Sequence, residues 1–426
     1  MNRRHFVLGG TAVAAGLAWW KHPSDEGAPY DDYFRTLNEE LKRNGPMHPC
    51  MVIDLDRLDH NIDTVAASIR SVKSGGRGYR VVAKSVPSIQ LIDYVFKRAG
   101  TKRLMGFHQP FLNDQAEAFP DADILVGKPM PARAASLFYR DLKGGFDPAR
   151  QLQWLIDTPE RLAQYLELAK GQNLRQRVNI EIDVGLHRGG VNDAATLHQM
   201  LDLIAANPQS FEFAGFMGYD PHLVKVPSVL GSRDELFHKS MALYQGFVDQ
   251  VKRQFPQLWN DRLTLNAAGS PTYKLHEAES LSTELSVGSG LVKPTDFDID
   301  TLAAHQPACF IATPVLKAGG HPLTIPGLEG ASRMLSWWDP NQQEGYFIYG
   351  GDWMANYESP HGLRKSALFG HSTNQEAVVG SAAVGLKVDD QVFLRPNQSE
   401  FVFLQFGDLV AVRGGRIEAY WPVFKA

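Results

Sequence analysis

From residue 80 to residue 286 the chain alternates short apolar runs with longer amphipathic stretches. The apolar runs at 81–83, 103–106, 124–126, 153–156, 179–182, 213–217, 263–265 and 283–286 are candidate strands, and the longer stretches between them are amphipathic, as helices are. Strands that alternate with helices pair in parallel through right-handed crossovers. Eight such units in about 200 residues predict an α/β fold, a compact closed (β/α)8 barrel of the TIM type. An earlier run, CMVIDLDRLDHNIDTVAASI, reads as a strand and a helix outside the eight, the strand assigned to a second domain and the helix to the barrel. Beyond Asp296 the long helical periods stop. Short runs such as ACFIATPVLK, GYFIYGG and FVFLQFG, set apart by turns at Gly319-Gly320 and Gly414-Gly415, predict a mostly antiparallel β domain. The expected organisation is a segment at 1–20, a polar linker and short helix at 21–47, the barrel at 48–296 and the β domain at 297–426.

Composition narrows the class. The 426 residues carry 44% hydrophobic and 21% charged side chains, as expected for a soluble globular chain of two domains. The net charge of −4 has no basic block behind it, which argues against a nucleic acid partner. Cys50 and Cys309 belong to no CxxC or Cys/His cluster, so a structural zinc site is not expected; in an oxidising compartment they could pair.

Residues 1–20, MNRRHFVLGGTAVAAGLAWW, read as an address. Arg3 and Arg4 precede a weakly apolar run of 15 residues, short for a membrane span. The segment resembles a twin-arginine export signal, with Asn2 where serine or threonine is usual; an uncleaved anchor is the other reading. The first implies a twin-arginine translocase as partner and a periplasmic or envelope location.

The stretch YRVVAKSVP ends a β-branched run in one lysine, Lys84. Chemistry in a parallel barrel collects at the carboxyl ends of its strands. Partial burial there would lower the lysine pKa and ready the amine for a Schiff base with an aldehyde. The other strand ends carry Phe107 and His108, Lys128, Asp157, Asp183, His187 and Arg188, then Tyr219, Asp220 and His222. The last two, AAGSPT with Gly269 and Ser270 and SVGSG with Gly288 and Ser289, set freed backbone amides beside hydroxyls, as a phosphate requires. Arg188 could bind a phenolate oxygen or pair with Asp183 as scaffold.

The segments HPCMVIDLDRLDHNI, VVAKS, VNIEIDVGLHRGGV, FAGFMGYDPH, NAAGSPTYK, TELSVGSG and LKVDDQVFLRPNQSEFV, in this order, resemble fold-type III pyridoxal phosphate enzymes, and among them the D-serine dehydratase and D-threonine aldolase family. The resemblance implies an alanine racemase-like barrel followed by a β domain, and a homodimer. It implies that Lys84 holds pyridoxal 5′-phosphate as a Schiff base and that Arg188 lies near the O3′ of the cofactor. Tyr219 and His222 would line the pocket, the first against the cofactor and both near the reaction. Gly269, Ser270, Gly288 and Ser289 would hold the phosphate.

One departure stands out. Relatives that cleave or dehydrate β-hydroxy amino acids carry a metal on a His-x-Cys or His-x-Asp pair near the carboxyl terminus. Here PNQSE puts Gln398 and Glu400 at those positions, and upstream HSTNQE has Gln375 in place of a histidine. These are hard ligands, suited to Mg, Mn or Ca rather than Zn, and a site with no catalytic metal is the other reading. The resemblance implies an enzyme acting on a small D-amino acid. Cleavage of a D-3-hydroxy amino acid ranks first, then D-serine dehydratase-like ammonia loss or racemisation; a cofactor-carrying binding protein without turnover is the reading from another class.

Overall fold

The computed structural model describes residues 22–71, 76–227, 231–278 and 281–425. The segment at 1–20, expected to be an export signal, lies outside them. Among the described residues no helix is long and apolar enough to cross a membrane.

The chain divides into two compact units, a β unit of residues 1–53, 309–397 and 410–419 and a barrel unit of 54–308, 398–409 and 420–426. The expected boundaries at 48–296 and 297–426 therefore shift. The linker helix joins the β unit, while 398–409 and 420–426 belong with the barrel.

In the β unit, strand β1 (Cys50–Asp54) is the one expected to leave the barrel count. Eight strands follow in the barrel unit: β2 (Gly78–Val82), β3 (Arg103–Gly106), β4 (Asp123–Val126), β5 (Leu152–Ile156), β6 (Gln176–Ile182), β7 (Phe211–Gly218), β8 (Thr264–Ala267) and β9 (Glu284–Val287). They close a parallel barrel in sequence order, with β2 paired to β9. All eight expected strands are present, displaced by a few residues at most. The helix expected after β1 spans Leu55–Arg70 in the barrel unit, and Asp54 caps it by accepting a hydrogen bond from the Arg57 amide.

Side chains two apart on a strand share a face, so the barrel interior is built in layers. Val82, Met105, Leu125, Leu155 and Met217 pack together as an apolar middle layer. Two residues earlier on β2 and β5 come Arg80 and Gln153, and with Glu284 on β9 they join a buried polar layer. Arg80 is fully buried and reaches both Glu284 and Asp123. Gln153 donates to Thr264 Oγ1 at 2.9 Å, and Asn266 donates to Glu284 Oε1 at 2.8 Å. Two residues later along the same strands come Lys84, Phe107, Gly127, Asp157 and Tyr219, the open layer where the site forms.

The remaining strands, β10 (Cys309–Ala318), β11 (Glu344–Tyr349), β12 (Ala355–Ser359), β13 (Arg364–Lys365), β14 (Gln375–Gly380), β15 (Gln391–Pro396), β16 (Leu409–Arg413) and β17 (Arg416–Trp421), form a sheet with β1. Its order is β13-β14-β11-β10-β1-β16-β17, with β15 pairing β10 and β12. Helix Asp32–Asn44, capped by Asp31, lays Phe34, Leu37 and Leu41 on Val52, Phe310, Phe393 and Val410. Cys50 and Cys309 are free and buried on β1 and β10. Cys50 faces Ala312 and Cys309 faces Ile53. That three-residue offset is about 10 Å along the strands, too far for a disulfide.

Candidate active site

A cavity of about 630 Å³ opens in the barrel unit at the carboxyl ends of the strands. Lys84 enters it from a single 3₁₀ turn, Ala83–Ser85, that directly continues β2. The side chain is 39% exposed and forms an ion pair with Glu400, so the amine is more open than the buried strand end anticipated. Its nitrogen also lies 5.1 Å from the centre of the Phe107 ring.

Arg188 sits over the Tyr219 ring, 4.9 Å from its centre. The alternative pairing of Arg188 with Asp183 is not formed. Asp183 instead accepts from the Gly185 and His187 amides at 2.9 and 3.0 Å and meets His187 Nδ1 at 2.7 Å. Burial alone would raise the Asp183 carboxyl, but these hydrogen bonds outweigh it and hold the group below the ordinary range. Burial pushes the Tyr219 phenol up; Arg188 opposes the rise, while Asp220 and Glu400 add to it.

The two glycine–serine turns meet. The amides of Gly288 and Gly290 converge on Ser270 Oγ, at 3.2 and 2.9 Å, and Ser85 Oγ lies 2.9 Å from Ser289 Oγ. A Cβ on Gly288 would come 2.6 Å from Val82 Cβ and 2.9 Å from Ser85 Oγ, so the backbone passes where only glycine allows it. Behind the first turn, Gly269 donates to Thr272 Oγ1 at 3.2 Å and Thr272 donates to the buried Asp220 at 2.6 Å. His276 Nε2 meets the other oxygen of Asp220 at 2.7 Å.

One expected residue is not among those lining the cavity. The chain turns at Pro221–Val224, and His222 is carried away from the cavity lining, its Nε2 3.3 Å from Ser240 Oγ. Burial lowers its pKa. Lys84, Arg188, Tyr219, Gly269, Ser270, Gly288 and Ser289 all line the cavity; His222 does not.

Gln398 and Glu400 turn to different partners. Gln398 Nε2 donates to Asp296 Oδ2 at 2.9 Å, and Glu400 engages Lys84, so the two do not converge on one cation position. The group of acidic and imidazole side chains close enough to share an ion, among the described residues, is Asp352, His371 and Glu376 in the β unit. Lys365 already lies 3.3 Å from Asp352 Oδ1 and 3.2 Å from Glu376 Oε1.

Sequence reasoning missed Glu181 and the partner of Lys84. Glu181 lines the cavity, and burial raises its carboxyl, with Arg188 opposing and Asp157 and Asp183 adding. Its alternation with Asn179 and Asp183 on an inward face was the available signal.

The donor set fits pyridoxal phosphate: a primary amine for the aldehyde, amides and hydroxyls in a glycine-walled turn for the phosphate, and a guanidinium for the phenolate. The sequence profile of a family described as alanine racemase, N-terminal domain, matches residues 53–296. A 3-hydroxy-D-aspartate aldolase of Paracoccus denitrificans (strain Pd 1222) is 22% identical over 393 residues, covering 88% of this chain and 91% of that protein. The crystal structure of D-threonine aldolase from Filomicrobium marinum shares the fold, with a TM-score of 0.63 at 17% identity over 94% of this chain and 98% of that one. Alanine racemase from Bacillus anthracis does so with a TM-score of 0.64 at 13% identity, over 88% and 98%. With its lysine-bearing strand end, its paired glycine–serine turns and a profile match over more than half its length, the chain belongs to the alanine racemase N-terminal domain family.

Proposed function

We propose that this chain is a pyridoxal phosphate-dependent enzyme that cleaves a D-3-hydroxy amino acid between Cα and Cβ, giving a shorter amino acid and an aldehyde. The observation that carries the reading is the Lys84 amine in a cavity bounded by the Gly269–Ser270 and Gly288–Ser289 turns on one part and by Arg188 over Tyr219 on another. The likeness to 3-hydroxy-D-aspartate and D-threonine aldolases supports the substrate class.

When bound, pyridoxal phosphate supplies the sink for the electron pair released from a bond broken at Cα. The Gly288 and Gly290 amides, which donate to Ser270 Oγ here, would with the Ser85, Ser270 and Ser289 hydroxyls hold the phosphate. Arg188 would hold the phenolate oxygen, and Tyr219, between Arg188 and Gly269, forms a wall. Lys84 would hold the aldehyde and, once displaced by the amine of the substrate, would return a proton to Cα. Gln398 and Glu400 do not form a zinc site in this reading, and any ion they bound would be a hard one such as Mg, Mn or Ca.

The test is a screen of the yellow holoprotein with D-threonine and 3-hydroxy-D-aspartate, with and without added divalent metal. Aldehyde release supports the reading; a spectral change without product would favour a binding protein. Borohydride reduction and peptide mapping should place the cofactor on Lys84, and Lys84→Ala should abolish attachment. Trapping on another lysine, such as Lys128, would sink that assignment.

The chain is further proposed to leave the cytoplasm through the twin-arginine translocase and to act as a homodimer. A variant with Arg3→Lys and Arg4→Lys that still reaches the envelope would refute the first, and a monomer by light scattering the second.

A further inference from the structure

We propose that Glu400 is the catalytic base that takes the proton from the β-hydroxyl of the substrate, so that a side chain does in this chain what a metal-bound site does in the relatives the sequence resembles. The inference rests on the aldolase reading above.

Three observations carry it. Glu400 lies on the short helix Glu400–Phe403 of the barrel unit, and its carboxylate reaches Lys84 Nζ from 316 residues away. It is the carboxylate partner of Lys84 among the described residues, whereas the other acids of the cavity differ: Glu181 is under the pull of Arg188, and Asp157 lies near Glu181. Gln398, the other half of the altered pair, is already donating to Asp296, so Glu400 is not drawn into a shared ligand set. Its carboxylate therefore stands beside the amine that the substrate displaces, where it can exchange protons with both.

Reach follows from bond lengths. The substrate nitrogen takes over the bond that Lys84 makes to the aldehyde carbon, and the β-hydroxyl oxygen follows three bonds on, within about 3–4 Å of that nitrogen. A carboxylate that touches Lys84 Nζ is thus on the order of 6 Å or less from the hydroxyl, and meets it when the Cα–Cβ bond turns the hydroxyl toward Glu400. Glu400 takes the hydroxyl proton, and the O–H pair becomes the second bond of the new C=O at Cβ. The Cα–Cβ bond breaks, and its electrons pass into the pyridoxal ring system. Lys84, as the ammonium, then gives a proton to Cα, and the proton on Glu400 passes back to Lys84. The products are an aldehyde and the shortened amino acid, with no net oxidation.

The test compares wild-type and Glu400→Gln holoproteins by three readouts. One is the absorbance and borohydride trapping of the bound cofactor. Another is the exchange of the Cα proton of D-alanine in deuterium oxide, followed by NMR, because D-alanine has no hydroxyl for Glu400 to act on. The last is aldehyde release from D-threonine and 3-hydroxy-D-aspartate. Glu400→Gln should keep the cofactor and change exchange by less than about tenfold, the effect of one imperfect contact. Aldehyde release should fall by about 10²- to 10⁴-fold, the contribution of a general base. Wild-type release should survive a chelator, and Glu400→Asp should recover part of the loss. Equal losses of exchange and release would make Glu400 a positioning residue for Lys84 and overturn the proposal. So would release lost to chelator and restored by added metal, or an undiminished Glu400→Gln enzyme. A wild-type protein that takes up no cofactor would instead remove the aldolase reading itself, and this inference with it.

Discussion

Tyr219 lies so close to Gly269 that a Cβ built on the glycine would come 2.4 Å from Cε2 of the ring. The ring cannot simply yield, because Arg188 covers it at 4.9 Å. Gly269→Ala should therefore cost about 1–3 kcal/mol of local strain, relieved by tilting Tyr219 away from the guanidinium. The expected result is cofactor affinity weaker by roughly tenfold, with an unfolding midpoint lowered in step with the strain, read by absorbance titration and urea denaturation. Affinity equal to that of the wild type would mean that the ring has room to move and is no fixed wall.

Arg80 should matter for stability and not for chemistry. Its fully buried guanidinium satisfies Glu284 twice, Asp123 and the Leu104 carbonyl, all inside the barrel. Arg80→Met leaves the buried Glu284 carboxylate with Asn266 and only the more distant, half-exposed Arg103 at 3.7 Å, a loss of about 3 kcal/mol. Removing both charges, with Arg80→Met and Glu284→Leu together, should recover much of that loss, since two apolar side chains avoid the desolvation cost. Urea melts of the single and double variants check this; equal stability of the two would show that the pair is not coupled.

The barrel was legible because each strand is a short apolar run, set between amphipathic stretches, with polar or reactive side chains just past its end. Val82 and Lys84 share a face two residues apart, as do Met217 and Tyr219, so the strand ends named the cavity lining directly. What stayed hidden depends on contacts between distant residues. Nothing near Glu400 announces that it meets Lys84, and nothing near Gln398 announces Asp296. His222 follows Asp220, whose partners Thr272 and His276 stand more than fifty residues downstream, so nothing local in the sequence shows how that turn is held. Nothing near Arg80 announces Glu284, and only closure of the barrel brings the two together.

His305 should make the site sensitive to acid. The carbonyl of Gly290 can only accept, so His305 Nδ1 donates to it, at 2.7 Å, and Nε2 is left to accept from the Tyr273 hydroxyl, also at 2.7 Å. Burial pushes the imidazole down to about 4, with Lys274, Lys293 and His60 adding and the Gly290 bond opposing. A histidine in the unfolded chain takes its proton near 6.5. Between these values the unfolded chain binds a proton that the fold refuses. The stability tied to the neutral ring is therefore fully present above about pH 6.5, is lost as the pH falls toward 4, and changes no further below that. A shift of this size amounts to about 3 kcal/mol. Protonation at Nε2 would reverse the Tyr273 bond and place a buried cation beside the turn Ser289–Leu291, which His305 braces through Gly290, and so loosen it. Cofactor release on acidification should therefore precede global unfolding. In His305→Gln, which has no charge to gain, the slope of stability against pH between about 4 and 6.5 should flatten relative to the wild type, measured by urea melts across that range. Parallel curves for the two proteins would show that some other group governs the acid transition.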